Sequence, residues 1–131
     1  MAERHRLALS LPGIGPATAR IVVAELPEDL GARTTAQICS YAGVAPLDDQ
    51  SGRRRGRASI GRGNVRLKAA LYMPAMVCVR TQPWARDLKA RLMAKGKTHR
   101  QAIVAVMRRL LVRLVAVLKR GSAWEPEPRN T

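Results

Sequence analysis

The last third of the chain carries the strongest structural signal, a long amphipathic helix over residues 98–121. Thr98 and Gln101 have the spacing of a capping box, in which two side chains satisfy backbone N–H groups at a helix N-terminus. Gly121 ends the pattern. Apolar residues recur between them at helical spacing: Ile103, Met107, Leu110, Leu114 and Val117. Three arginines fall largely away from this apolar face: Arg109, Arg113 and Arg120. Other elements must cover such a face.

Cap and breaker residues predict five further helices. Pro16 opens the second helix, in which Ile21 and Val22 are expected to face inward. Thr34 or Thr35 caps the third, and Asn64 caps a long fourth helix that Pro74 is expected to kink. The predicted ranges are 3–11, 17–25, 36–42, 64–82 and 84–95. Residues 44–63 show no reliable period, although a short hairpin around Gly52–Gly56 is possible.

The composition favours helices packed on one another. There is no Phe, and aromatic residues make up 3% of the chain, so Leu, Val, Ile, Ala and Met must form the core. We therefore expect a mostly α fold: a helix-hairpin-helix-like N-terminal part, a basic loop, then a long kinked helix and two further helices in a small bundle. Residues 1–121 form one domain and residues 122–131 a disordered tail. Val and Leu positions of the last helix can pack within this bundle or serve assembly.

The charge is strongly basic and unevenly distributed. The chain has 24 Lys and Arg against 9 Asp and Glu, a net charge of +15. Between Ser51 and Gly121, Asp87 is the single acid among nineteen basic residues. A polyanionic partner relieves the repulsion within such a chain, which favours nucleic acid over the alternative of ordinary solvated Arg-rich faces.

The sequence predicts neither a metal site nor a membrane-spanning segment. Cys39 and Cys78, like His5 and His99, are far apart, so no metal site is expected and the two thiols are predicted to be buried and reduced, as in the cytoplasm. The longest apolar stretch, residues 101–118, contains three arginines, so no membrane-spanning segment is predicted.

Two motifs point to phosphate chemistry. The first, LPGIGPATARIV over residues 11–22, resembles a helix-hairpin-helix motif, in which Gly13, Ile14 and Gly15 present backbone N–H groups to a DNA phosphate. A purely structural turn between helices is the alternative. The second is the exposed stretch LDDQSGRRRGRASIGRGN over residues 47–64. Here Ser51 or Ser59 is either a nucleophile or an ordinary loop serine. Candidate phosphate contacts are Arg53, Arg54, Arg55, Arg57, Arg62, Arg66 and Lys68.

The order of several segments resembles the transposase domain of the IS110 (IS116/IS110/IS902-type) insertion-sequence transposases. These segments are LPGIGPATARIVVAEL, TAQICSYAGVAP, QSG, RGRASIGRGNVRLKAALYM and KTHRQAIVAVMRRLLVRLVAVLK, over roughly residues 7–120. The resemblance implies a bacterial, nucleoid-associated DNA recombinase whose catalytic serine, matched here by Ser51, forms a covalent phosphoserine link to a DNA end. It also implies a guide RNA, an active complex of several protomers, and Mg²⁺ in a RuvC-like N-terminal half.

The four spaced acids of that half are missing from these 131 residues. The sequence therefore predicts a truncated or isolated C-terminal half. This half is expected to contain no cofactor and not to catalyse DNA cleavage without the N-terminal half. The rival interpretation is a non-enzymatic helix-hairpin-helix nucleic-acid-binding module or inactive transposase remnant. A basic ribosome-associated protein is a third possibility.

Overall fold

The structure, a computed structural model, describes residues 2–45 and 64–125. These ranges contain six α-helices and one short 3-10 helix, and no β-strand. The elements are α1 (Ala2–Leu9), α2 (Pro16–Glu25), the 3-10 helix (Leu30–Ala32), α3 (Thr35–Ala42), α4 (Val65–Thr81), α5 (Pro83–Ala94) and α6 (His99–Arg120). The predicted mostly α fold is confirmed, and every predicted helix is present with ends within two residues of those expected.

Local cap chemistry explains where α3 and α6 begin. Thr34 Oγ1 accepts the Gln37 N–H at 3.0 Å, and Gln37 Oε1 accepts the Thr34 N–H at 2.9 Å. Thr98 and Gln101 repeat this reciprocal arrangement at 3.1 and 2.9 Å. Both helices therefore begin with a complete capping box, one of which was predicted from sequence.

The bundle is organised around α4 and α6. These two helices pack against each other, α5 packs on both, and α2 packs on α4. The apolar face of α6 predicted from its spacing is buried throughout. Its Val and Leu positions thus serve intramolecular packing, while the core remains aliphatic, as the composition requires.

One core prediction in α2 is wrong. Ile21 is exposed, whereas Ala19, Val22 and Val23 are buried together with Leu26. Those four residues follow the i, i+3, i+4, i+7 spacing of a single helix face. Ile21 lies beside that face, because the direction in which α2 is covered is set by α1 and α4.

The described chain continues beyond the end of α6 at Gly121. Trp124, within the tail expected to be disordered, is partly buried against the core, and its backbone N–H donates to Ser10 Oγ at 2.8 Å. The Arg113 guanidinium carbon lies 4.4 Å from the centroid of the Trp84 ring and 5.0 Å from that of Trp124. These cation–π contacts fasten residues 122–125 to the bundle, while residues 126–131 lie outside the described part.

Candidate functional site

The turn between α1 and α2 contains the first predicted site. Gly13 has φ +96°, a left-handed conformation, and a Cβ placed there would come within 2.9 Å of Cys78 Sγ and 3.4 Å of the Pro74 carbonyl oxygen. The turn therefore lies directly on α4, and Gly13 is required both by its backbone and by this close approach.

The neighbouring residues of the turn have different surroundings. Ile14 is buried, so its side chain packs in the core. Gly15 is the N-cap of α2, with φ −92°, and a Cβ there would meet nothing within 4 Å. Of the three residues predicted to meet DNA, Gly15 thus faces open space. It adjoins the first N–H groups of α2, which have no partner within the helix.

Four side chains form a hydrogen-bonded cluster around Asn64, the last residue of the second predicted site and the only one of that site that the structure describes. Asn64 is its centre: its Nδ2 group donates to Glu25 Oε1 at 3.0 Å and to Tyr41 Oη at 3.1 Å. The Tyr41 hydroxyl donates to the Glu25 carbonyl oxygen at 2.9 Å, and Arg66 Nε pairs with Glu25 Oε2 at 3.0 Å. We call Glu25, Tyr41, Asn64 and Arg66 the anchor cluster.

The anchor cluster joins Asn64, at which the described chain resumes after the basic segment, to Tyr41, near the end of the described stretch before that segment. The Asn64 N–H donates to the Tyr41 carbonyl oxygen at 2.7 Å, and Asn64 Oδ1 caps α4 by accepting the Leu67 N–H at 2.9 Å. On the other side, Val44 is fully buried and its N–H donates to the Cys39 carbonyl oxygen. The chain therefore leaves and rejoins the helical bundle at one place, held by α2, α3 and α4.

The other predicted site residues form two groups: those after Asn64, which the structure describes, and those before it. Arg66, a member of the anchor cluster, and Lys68 lie on the first turns of α4 with exposed side chains. The remaining predicted residues lie outside the described part of the chain: Ser51, Ser59, Arg53, Arg54, Arg55, Arg57 and Arg62. The possible hairpin around Gly52–Gly56 lies outside it as well.

Sequence reasoning missed the roles of Glu25 and Tyr41. Glu25 reads as an ordinary acid at a helix end, and Tyr41 stood out only as part of the family-like YAG segment. The hydrogen bonds that unite them with Asn64 span 39 and 23 residues of sequence. No local periodicity encodes such contacts. The one usable signal was the position of Asn64 as a helix cap next to a glycine-rich stretch.

The two cysteines are buried and are not joined in a disulfide. Burial raises the pKa of both thiols from 9.0, and the positive charges of Arg108 near Cys39 and Arg113 near Cys78 offset this only in part. Because the thiolate is the reactive form, neither side chain is suited to be a nucleophile.

The described side chains offer no donor set for a metal ion. Within residues 2–45 and 64–125, no group of three His, Cys, Asp or Glu side chains comes together in a way that would hold one. The described residues therefore do not provide the ligands for the Mg²⁺ that the resemblance implies for the RuvC-like half. None of the helices described is long and apolar enough to cross a membrane.

The electrostatics of the described surface remain strongly positive. Three ion pairs join described residues, Arg6–Glu3, Arg33–Asp29 and Arg66–Glu25, and the acid-poor helices α4–α6 supply a carboxylate to none of them. Only the third pair lies at the anchor cluster. Since the Arg66 side chain is 76% exposed, its remaining N–H groups face solvent, where a phosphate could accept them.

Comparison with known proteins gives a consistent family assignment. The model of the transposase IS116/IS110/IS902 family matches residues 5–90. The chain is 33% identical over 129 residues to the 43.6 kDa protein of insertion element IS110 of Streptomyces coelicolor, covering 95% of this chain and 32% of that protein. It is 36% identical over 129 residues to the 42 kDa protein of insertion element IS900 of Mycobacterium paratuberculosis, covering 95% and 32%.

A relative named for a different role is similar to the same extent. The pilin gene-inverting protein of Moraxella bovis is 34% identical over 126 residues, covering 94% of this chain and 39% of that protein. The chain thus spans between 32% and 39% of the length of these three relatives.

Proposed function

The chain belongs to the IS116/IS110/IS902 transposase family, and we propose that it is the part of such a transposase that holds DNA and attacks it through Ser51. The observation that carries this proposal is the anchor cluster. The family match includes the whole Ser51 segment, and the described residues on either side of that segment are fastened to each other and to the bundle. A nucleophile must attack the phosphodiester in the same geometry each time, so the segment that carries it needs a rigid structural support of this kind.

The proposed reaction is a transesterification. Ser51 Oγ attacks the phosphorus of a DNA phosphodiester, a phosphoserine ester bond forms, and the bond from phosphorus to one deoxyribose oxygen breaks. The serine proton is transferred, directly or through water, to the departing deoxyribose oxygen, which leaves as a hydroxyl group. One phosphodiester replaces another, so a second DNA hydroxyl can later attack the phosphoserine, reform a DNA strand and return the proton to Ser51.

The basic residues would supply binding and charge stabilisation. Arg53, Arg54, Arg55, Arg57 and Arg62 share the segment with Ser51, and guanidinium groups there would stabilise the charge that develops on the transferring phosphoryl group. Arg66 and Lys68 continue the same charge onto the start of α4, and the α2 N-terminus at Gly15 offers backbone N–H groups to a strand. Contacts of these types position DNA without reading its sequence.

The remaining partners are proposed from the resemblance to the family. We propose that DNA is the substrate, that a guide RNA selects the target, and that several protomers act together. The remaining part of a full-length family protein would bring the Mg²⁺ that this chain's described residues do not fit. The Moraxella relative is named for inverting a pilin gene, which is strand exchange at two sites and is consistent with a reversible phosphoserine intermediate.

Paired serine variants test this proposal. Ser51→Ala and Ser59→Ala would each be combined with the non-matching part of the Streptomyces coelicolor IS110 protein and assayed for binding and cleavage of element-end DNA. We expect Ser51→Ala to abolish cleavage while the Kd for DNA changes less than about twofold, because one hydroxyl contributes little to an affinity dominated by charge. Ser59→Ala should cleave as the parent does.

The opposite results have clear meanings. Loss of cleavage in Ser59→Ala alone would transfer the role to Ser59. Parallel loss of binding and cleavage in Ser51→Ala would contradict the assignment of Ser51 as nucleophile. Binding with no cleavage in any combination would favour the non-enzymatic nucleic-acid-binding module instead.

A further inference from the structure

Helix α4 exposes an apolar stripe on the side opposite its buried face. Val65 is 73% exposed, Met73 60% and Tyr72 45%, and Ala69 is exposed between them. Val65, Ala69, Tyr72 and the partly buried Met76 are separated alternately by four and three residues, and Met73 lies next to Tyr72. This is the spacing by which one helix packs along another in a coiled coil. We call Val65, Ala69, Tyr72, Met73 and Met76 the α4 stripe.

The opposite face of α4 already performs the packing that the bundle needs. Leu67, Leu71, Ala75 and Cys78 are buried at 1% exposure or less, and they lie on the far side of the helix from the α4 stripe. An amphipathic surface helix normally carries polar residues on its solvent side. Apart from Met76, which packs partly against the core, the α4 stripe is therefore a second apolar face that the described part of the chain leaves exposed.

The charges around the α4 stripe define what can cover it. Arg66 and Lys68 flank its first turns on either side, Arg80 follows its last, and α4 contains no acidic residue. An approaching helix with Glu or Asp beside its own apolar positions would place those carboxylates next to these cations, in competition with Glu25 at Arg66 and with the DNA phosphates proposed for Arg66 and Lys68. The α4 stripe spans about 17 Å, which three turns of a partner helix would cover.

A second copy of this chain is a poor occupant. Two α4 stripes laid together in either direction would bring only Arg66, Lys68 and Arg80 into opposition, within molecules that each carry a net charge of +15. Like charges in such positions oppose pairing. The family relatives, by contrast, are about three times as long as this chain, so a full-length protein has ample sequence to supply an acidic helix.

We propose that the α4 stripe is the docking surface for an amphipathic helix with acidic flanks, contributed by the part of a full-length family protein that lies outside the region matched by this chain. The α4 stripe starts one residue after Asn64 and so begins beside the anchor cluster. A helix docked there would lie next to Asn64, where the chain rejoins the helical bundle after the Ser51 segment. The inference concerns an interaction surface, and it stands whether or not Ser51 is the nucleophile.

Two probes test the docking surface. One is a 21-residue synthetic helix with Leu at the heptad a and d positions and Glu at e and g. Its control has the same composition, with the leucines distributed around the helix. The second probe is the non-matching part of the Streptomyces coelicolor IS110 protein. Binding is measured by fluorescence anisotropy with the parent chain, with Val65→Thr, Met73→Gln and their combination, and with Met93→Gln, which alters an exposed methionine on α5.

The expected result is selective binding through the α4 stripe. The Glu-flanked helix and the IS110 fragment bind the parent chain, the scrambled helix binds at least tenfold more weakly, and the Val65→Thr, Met73→Gln double variant loses about tenfold for both probes. Met93→Gln binds as the parent does. Both altered residues are exposed, and circular dichroism would show that the helical fold is kept.

Three results would overturn the proposal. The first is equal binding of the patterned and scrambled helices, which would reduce the interaction to net charge. The second is unchanged binding of both probes by the double variant. The third is sedimentation showing self-association of the parent that the double variant abolishes, which would assign the α4 stripe to a second copy.

Discussion

At the scale of single residues, Gly13 and Gly15 show that one residue type two positions apart can have two roles. The sequence predicted that both would present backbone N–H groups to DNA. In the structure, the missing side chain of Gly13 allows close approach of α4, with Cys78 Sγ 2.9 Å from the place of a Cβ, while Gly15 faces open space as the N-cap of α2. The glycine spacing identified the turn correctly. It could not show which partner each glycine faces, because Cys78 lies more than sixty residues away in sequence.

We predict that Gly13→Ala and Gly15→Ala differ sharply in stability. Gly13→Ala should lower the free energy of unfolding by about 2 kcal/mol or more, since it adds left-handed strain and a contact with a buried sulfur. Gly15→Ala should cost only about 0.5 kcal/mol, because Gly is a better N-cap residue than Ala but has no side chain that caps the helix. Urea denaturation followed by circular dichroism measures both values. Equal losses would contradict the packing assigned to the turn.

The buried thiols give a pH-dependent prediction. Burial raises the pKa of Cys39 and Cys78 above 9.0 in the folded protein, so the unfolded chain loses these protons first as the pH rises. Their contribution to stability is therefore complete below pH 9.0 and declines as the pH rises through the folded pKa. Urea midpoints measured from pH 8 to 10.5 should fall less steeply in a Cys39→Ala, Cys78→Ala variant. An identical slope in both proteins would refute the shift.

At the scale of helices, local sequence signals were sufficient to predict where helices begin and end. They were not sufficient to predict the contacts between helices. The Thr98–Gln101 capping box and the Asn64 cap predicted the starts of α6 and α4 because caps act over three or four residues. The outward position of Ile21 and the contacts of Glu25 with Asn64 depend on how α1, α2 and α4 meet. No propensity or periodicity within one segment contains that information.

Comparing two helix caps separates the anchor cluster from ordinary capping. Thr98→Ala removes a cap and should lower the free energy of unfolding by about 1 kcal/mol. Asn64→Ala removes a cap together with the hydrogen bonds to Glu25 and Tyr41, so the loss should be roughly 2–3 kcal/mol. Thermal unfolding monitored by circular dichroism gives both. If Asn64→Ala lowers the free energy of unfolding no more than Thr98→Ala does, the hydrogen bonds of the anchor cluster do not stabilise the fold.

At the scale of the whole molecule, the net charge of +15 dominates how the chain meets its surroundings. Composition alone predicted a polyanionic partner, and the structure adds that Arg66 and Lys68 lie with exposed side chains where the Ser51 segment rejoins the bundle. The arginines within the segment could be counted from the sequence. Their approach to any particular phosphate depends on DNA as much as on the chain.

Salt dependence tests the contribution of α4 to DNA binding. We expect the logarithm of duplex affinity to fall linearly with the logarithm of salt concentration, and the slope to become shallower by about 0.9 for each phosphate that a variant no longer neutralises. Arg66→Gln and Lys68→Gln should each reduce the slope in this way, whereas Arg33→Gln, on the loop that precedes α3, should not. Unchanged slopes in both α4 variants would place the interface elsewhere.

The central claim is that Ser51 forms a covalent bond to DNA, and trapping the adduct tests it most directly. The chain, combined with the non-matching part of the Streptomyces coelicolor IS110 protein, would be incubated with labelled, nicked element-end DNA, denatured and digested for peptide mass mapping. We expect a nucleotide-linked peptide containing Ser51 that is absent from Ser51→Ala. DNA that binds in native gels but forms no adduct with any partner fragment would show that Ser51 is not the nucleophile.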